Sequence, residues 1–292
     1  MTEEDDVRRA DALDRVLTRL ALTSEKNSQQ VIQKLLPAVI SELSCSSAKV
    51  VLQKVIQILS TCNKVLAAQP EVKIPVEPLL QVCLEENASQ VARSYALMYA
   101  EKGFLREDAD FQANMLQKIF DSLEAFKAAS TRSVMYRLAL VSLGSGGGGD
   151  GEVRLGRGKA NFLEFALHFV LYQGPYNTRA VVSPGLSPEL MGSLRCQDED
   201  YDNTVRRKVR MLKFLAREAE AELLLPVLLA ASEDPNESVS SLGESLLRKR
   251  AAISNVKPLV DLEDKGLIDR LFGYSTGRSK RCQRRPLSLI HI

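Results

Sequence analysis

SQQVIQKLLPAVISELSCSSAKVVLQKVIQILSTCNKVL, residues Ser28 to Leu66, is the stretch whose pattern decides the fold class. Two apolar runs flank a short polar break, Ser44-Cys45-Ser46-Ser47. The first run sets Pro37 among Leu35, Leu36, Val39 and Ile40. The second carries Val50, Val51, Val55, Ile58, Leu59, Cys62, Val65 and Leu66 close to the 3.6-residue helical period. Neither helix can bury an apolar face alone, so each must stack on neighbours.

The pattern returns downstream. Pro37 precedes Val50, Pro78 precedes Val91 and Pro226 precedes Val239, thirteen residues in each case. Every instance sets a proline among leucines, then a polar turn, then a valine at the start of an amphipathic run. A mid-helix proline removes one N–H and crowds the carbonyl four residues earlier, so bends are expected at Pro37 and Pro226. Val50 to Val91 and Val205 to Val239 are each about one HEAT-type step. The expected fold is all-α: an α-α superhelix (HEAT/ARM-type solenoid) of antiparallel helix pairs, each contacting mainly its neighbours.

Composition agrees. The 292 residues are 45% hydrophobic and only 5% aromatic, with no Trp. A net charge of +2 argues against a strongly electrostatic nucleic-acid binder. The five cysteines, Cys45, Cys62, Cys83, Cys196 and Cys282, form no CxxC pair, which disfavours a disulfide framework or a zinc site. Cys45, Cys62 and Cys83 lie in or beside helical runs and are expected as small buried hydrophobes. Met1 to Asp6 is acidic and unlike a signal peptide. The longest apolar stretch, Leu223 to Ala231, is too short to span a bilayer, so no transmembrane segment is expected. Cytoplasm and nucleus are the expected locations, where the sequons at Asn87 and Asn236 would carry no glycan.

Four segments follow. Residues 1–143 hold the first helical repeats, opening with an amphipathic helix from Val7 to Leu22 whose apolar side is Val7, Leu13, Val16, Leu17 and Leu20. Asn87 is the expected cap of a helix using Val91, Tyr95, Met98 and Tyr99. Asp108 to Ala129 and Ser133 to Leu143 are the next two helices. Residues 144–159 are a glycine-rich loop without apolar periodicity. Residues 160–272 return to repeats: a Phe-rich helix over Asn161–Tyr172, an irregular Gln173–Pro188 and a helix start at Ser187-Pro188 follow in turn. A basic helix capped by Asp202 or Asn203 comes next, then the Pro226 helix, its partner from Asp234-Pro235, and a last helix near Glu263–Phe272. Residues 273–292 form a basic tail without a core pattern.

Candidate sites are few. Gly144, Gly146 and Gly149 match GxGxxG, but the phosphate-binding form needs a strand before it and a helix after it. Gly158-Lys159-Ala160 lacks the rest of a P-loop. His168, inside an apolar helix, is expected in the core, and His291 lies in the tail. Glu85-Glu86 and Asp198-Glu199-Asp200 suit solvated loop charge. Arg206, Arg207, Lys208, Arg210 and Lys213 crowd one helix whose inner positions are Val205, Val209, Leu212, Leu215 and Ala216. They are expected as an outward face, solvated or offered to an acidic protein, and no aromatic residues interleave to stack on bases. Arg278 to Arg285 resembles a nuclear import signal. No catalytic, cofactor-binding or metal residue is assigned, no cofactor or small-molecule substrate is expected, and binding residues are left open.

VIQKLLPAVISELS, VVLQKVIQILSTCNKVL and PEVKIPVEPLL, within Val31 to Leu80, closely resemble the start of the large HEAT-repeat proteasome adaptor and scaffold family. Gly243 to Lys249, Asp261 to Asp264 and Leu271-Phe272 resemble later stretches, so the likeness covers about residues 10 to 272. It implies eukaryotic proteins that bind the 26S proteasome, tie its core particle to its regulatory particle and link it to other machinery. It carries over no catalytic residue. Family proteins are several times longer, which implies an N-terminal piece here, and the likeness is expected to stop after Phe272, where an alternative end would begin. A general HEAT/ARM adaptor, for example for nuclear transport cargo, is the alternative.

Overall fold

The quoted stretch folds as two consecutive helices in a computed structural model. The structure describes residues 3–23, 25–45, 48–123, 126, 128–144, 154–156, 158–174, 186–196 and 200–253. In order these form α1 (Glu3–Ala21), α2 (Glu25–Cys45), α3 (Lys49–Ala68), α4 (Val76–Leu84), α5 (Gln90–Phe104) and α6 (Ala109–Ser122). Then come α7 (Ala129–Gly144), α8 (Lys159–Leu171), α9 (Pro188–Leu194), α10 (Tyr201–Glu218), α11 (Ala221–Ser232) and α12 (Glu237–Ile253). No strand occurs among the described residues. The chain is all-α and built of packed neighbouring helix pairs, the solenoid class. The bulk of the glycine-rich loop, the Glu263–Phe272 helix and the 273–292 tail lie outside the described residues. The chain divides into two units, Met1–Gln112 with Ala125–Val134, and Ala113–Glu124 with Met135–Ile292.

In the first unit, α2 buries Ile32, Leu36, Val39, Ile40 and Leu43, and α3 buries Val51, Val55, Ile58, Leu59, Cys62 and Leu66. These are the three- and four-residue steps of one helical stripe, and each fully buried Ile or Leu contributes ~1.5–3 kcal/mol. Polar bonds then fix the register. Lys54 Nζ lies 2.6 Å from Asp14 Oδ1, Tyr99 Oη donates to the Leu59 carbonyl at 3.1 Å, and Arg106 Nη2 donates to the Leu66 carbonyl at 3.1 Å. Each partner is forty residues away, so α1, α3 and α5 run parallel at one repeat per step. Gln29 and Lys73 exchange two bonds across 44 residues, and Ser89 bonds Leu43 and Ser44 across 46 and 45. Bonds that each reach about one repeat are those of a unit stacked nearest-neighbour fashion.

The proline repeat maps onto three helix pairs, α2–α3, α4–α5 and α11–α12. Pro37 and Pro226 lie inside α2 and α11, and both helices continue past them. Pro78 sits in the first turn of α4, where a missing N–H costs little. The valines are not equivalent. Val239 is fully buried, whereas Val50 and Val91 are 55% and 54% exposed. In α5 the buried face belongs to Ala92, Ala96, Leu97, Tyr99, Ala100, Gly103 and Phe104, and Tyr95 and Met98 are only half-buried. Small side chains let α5 approach closely: a Cβ on Gly103 would lie 2.8 Å from Ile74 Cβ.

Other boundaries move for local reasons. Ser89, not Asn87, caps α5, because its Oγ reaches the Ala92 N–H while donating to the Leu43 carbonyl. Asp200 caps α10 in place of Asp202 or Asn203, accepting from the Asn203 N–H at 2.6 Å. α6 ends at Ser122 rather than Ala129, and α7 begins at Ala129 rather than Ser133, with Thr131 buried inside it. On α1, Leu13 and Leu20 are buried as expected, but Val7 is exposed and Ala10 takes an inner place.

α3 alters the membrane reading. Among the described residues it is long and apolar enough to cross a bilayer by length and composition, unlike Leu223–Ala231. Its packing against α1 and α2, through the buried stripe above and the Lys54–Asp14 pair, accounts for that apolarity within the fold.

The second unit has an aromatic core. Phe162 meets Phe120 edge-on at 5.1 Å, Phe120 stacks on Phe214 at 5.7 Å, and Tyr136 lies 4.8 Å from Phe165. Phe165, Phe169 and Tyr172 extend the row along α8, one turn apart. α11 packs on both α8 and α12. Gly243 makes the α11–α12 contact possible: a Cβ there would lie 2.7 Å from the Ser232 nitrogen and 2.9 Å from the Ala231 carbonyl carbon.

Candidate interaction surfaces

A helix leaves its last four carbonyls unpaired, and a cation there is favoured by the helix dipole. Arginines from elsewhere in the fold meet that need at several helix ends. Arg9 donates to Cys45 at the end of α2, and Arg106 to Leu66 and Val72 beyond α3. Arg137 donates to Ser193 in α9, and Arg250 to Ala216 and Ala219 at the end of α10. Arg210 reaches Leu143 and Gly144 at the end of α7. Five arginines therefore serve helix ends, a use that periodicity does not reveal.

The basic helix α10 corrects the sequence expectation. Its charges do not all face outward. Arg207 is buried, and Lys208 is only 3% exposed. Lys208 Nζ donates to Asp234 Oδ2 at 2.7 Å and to the Val170 carbonyl at 2.8 Å, tying α8, α10 and the turn before α12 together. Asp234 is equally hidden, and its Oδ1 accepts from the Asn236 N–H at 2.9 Å. Burial pushes the Lys208 pKa down, against the opposing pull of Asp234. Val205, Val209 and Ala216, expected inside, are half-buried, while Thr204, Met211 and Phe214 join Leu212 and Leu215 in the core. Arg206, Lys213 and Arg217 are the basic residues of α10 left exposed.

The remaining candidates scatter. Gly144 ends α7, and Gly146 and Gly149 lie outside the described residues. Gly158 and Lys159 start α8, and Lys159 pairs with Glu220 at 3.0 Å. His168 is half-buried rather than in the core. Desolvation lowers its pKa, with Glu164 opposing. Glu85 and Glu86 are exposed in the α4–α5 turn, and Asp200 is a helix cap, while Asp198, Glu199, His291, Cys282 and Arg278–Arg285 lie outside the described residues. Cys62 and Cys83 are buried as expected, and burial pushes both thiols up to about 12. Cys45 is exposed, against expectation. Among the described residues no cluster of His, Cys, Asp or Glu could hold a metal ion.

What the structure does offer is surface. In the first unit Val7, Val50 and Val91 stand exposed near the starts of the parallel helices α1, α3 and α5, with Leu84 at 41% exposure before the turn into α5. In the second unit the outward stripe of α10 is basic, with Tyr201 exposed at its start. Helix propensity and periodicity could not separate these residues from core positions.

The family model described as "Proteasome component ECM29, N-terminal" matches residues 13–290. The match runs past Phe272, where the likeness was expected to stop. The Drosophila melanogaster protein "Proteasome-associated protein ECM29 homolog" is 26% identical over 245 residues, covering 78% of this chain and 12% of that protein. The Homo sapiens "Proteasome adapter and scaffold protein ECM29" is 28% identical over 127 residues, covering 43% of this chain and 7% of that protein. The chain thus spans a small fraction of the length of these relatives. No solved structure matches it. With nearly its whole length matched, the chain belongs to the ECM29 N-terminal family of proteasome components.

Proposed function

We propose that the chain is a non-catalytic adaptor segment that docks on the 26S proteasome and helps hold its core particle to its regulatory particle. The observation that carries this is the family match over residues 13–290, joined to a fold of stacked helix pairs. Relatives named as proteasome adapter, scaffold or associated proteins support it. A stack of this kind presents broad surface from rigid elements, and surface is what a scaffold requires. On this reading the chain needs no cofactor and works in the cytoplasm and nucleus, where proteasomes would meet it.

The test is affinity purification of the tagged chain from a eukaryotic lysate. An unrelated helical solenoid of equal length serves as control, and core and regulatory subunits are quantified. Enrichment of both sets is expected. Recovery equal to the control overturns the proposal.

A further inference from the structure

We infer that Ser187 is a phosphorylation site for a proline-directed serine/threonine kinase. The chain has 11 prolines, and only Pro184 and Pro188 follow a Ser or Thr, in the run Ser183-Pro184-Gly185-Leu186-Ser187-Pro188. Ser183 and Pro184 lie outside the described residues, whereas Ser187, Pro188 and the following Glu189 are all exposed. A kinase of this class holds its substrate extended and offers no acceptor to an N–H on the next residue, so proline, which has none, is favoured there. Ser187 already has the required form. Its φ is −73° and its ψ 157°, the extended backbone that a following proline imposes, and the bond to Pro188 is trans.

The hydroxyl is placed to react. Ser187 Oγ accepts from the Leu190 N–H at 3.2 Å, and no described partner takes its proton. The exposed hydroxyls of Thr18 and Ser94, by contrast, each donate to the carbonyl four residues before them, inside a helix. Little holds the segment that follows. Between Leu186 and Leu194 no residue is buried, and a helix as short as α9 gains little on its own, so its first turn can open into a kinase cleft. The serine hydroxyl is the reacting group, and α9 is not required to hold the phosphate. Oγ attacks the γ-phosphorus of ATP, the bond to the β-phosphate oxygen breaks, ADP leaves, and the hydroxyl proton passes to the kinase's carboxylate base. The product adds about −1.5 to −2 charge at an exposed turn. The site does not depend on proteasome docking.

The full chain is incubated with a purified proline-directed kinase and magnesium ATP, and peptide mapping by mass spectrometry separates Ser187 from Ser183. A kinase selective for basic sequences serves as a second arm. Phosphate on Ser187 is expected from the first kinase and not from the second. Pro188→Ala, which keeps the hydroxyl, is expected to slow modification about tenfold. Ser187→Thr, which keeps an acceptor for the Leu190 N–H and creates Thr-Pro, should remain a substrate. A synthetic peptide of residues 180–194 gives the rate without a fold, and Ser187 in the full chain should react within about tenfold of it. Phosphate confined to Ser183, Pro188→Ala modified as fast as the parent, or equal modification of Ser187 by both kinases overturns the inference. So does a full chain slower than the peptide by more than about tenfold, since the hydroxyl would then be shielded in the fold.

Discussion

Replacing Lys208 with methionine removes one member of a pair whose side chains are 3% and 2% exposed. The Asp234 carboxylate would then lie buried with one remaining partner, the Asn236 N–H, and the Val170 carbonyl would lose its donor. Breaking a buried pair from one side costs ~3–5 kcal/mol, since the stranded charge cannot reach water. For a unit of this size each kcal/mol lowers the melting temperature by ~2–4 °C, so a fall of roughly 6–20 °C is expected. The double variant K208M/D234N removes both charges and keeps an oxygen for Asn236. It should return to within ~1 kcal/mol of the parent, since paired burial gains little over neutral burial. Chemical denaturation of the parent, K208M, D234N and the double variant gives the coupling energy directly. Hydrogen exchange then locates the loosening, expected in α8, α10 and the first turns of α12. Additive effects, or K208M within 1 kcal/mol of the parent, would refute the argument that this pair knits three elements together.

Gly243→Ala should destabilise the α11–α12 pair by ~1–3 kcal/mol in thermal denaturation, because the new Cβ would meet backbone at Ser232 and Ala231. A colourless-to-yellow thiol assay at pH 8 should find Cys45 reactive in the native chain, and Cys62 and Cys83, held at about 12 by burial, reactive only after unfolding. Fast native reaction of Cys62 or Cys83 would contradict their placement. Acidification should weaken the fold through His168. Its folded pKa lies below the unfolded value of 6.5, so between the two the unfolded chain binds more protons, and stability falls as pH drops through that window. His168→Gln should flatten that part of the stability–pH curve, and an unchanged slope would count against it.

The repeat was legible because burial in α2 and α3 is one-sided, so apolar spacing survives in the sequence. α5 was less legible. It is buried around much of its circumference, and its closest contacts come from alanines and Gly103, which carry little hydrophobic signal. Caps depended on tertiary reach: Asn87 and Ser89 are both good candidates, and only the nearby Leu43 carbonyl selects Ser89. α10 failed for another reason. Lys208 faces inward because Asp234, a residue in the turn after α11, is there to receive it. A sequence shows charge at both positions but not their meeting. The surface candidates share this limit, since Val50 and Val239 look alike until their neighbours are placed.

The register of the first unit bears on how the chain is made. The tertiary hydrogen bonds described above for it span 34 to 46 residues. Each of these bonds can therefore close once its later partner, at most about one repeat further along, has been made. Closure can keep pace with the ribosome, and greasy stripes such as Ile32 to Leu43 are left open for little longer than one repeat takes to emerge.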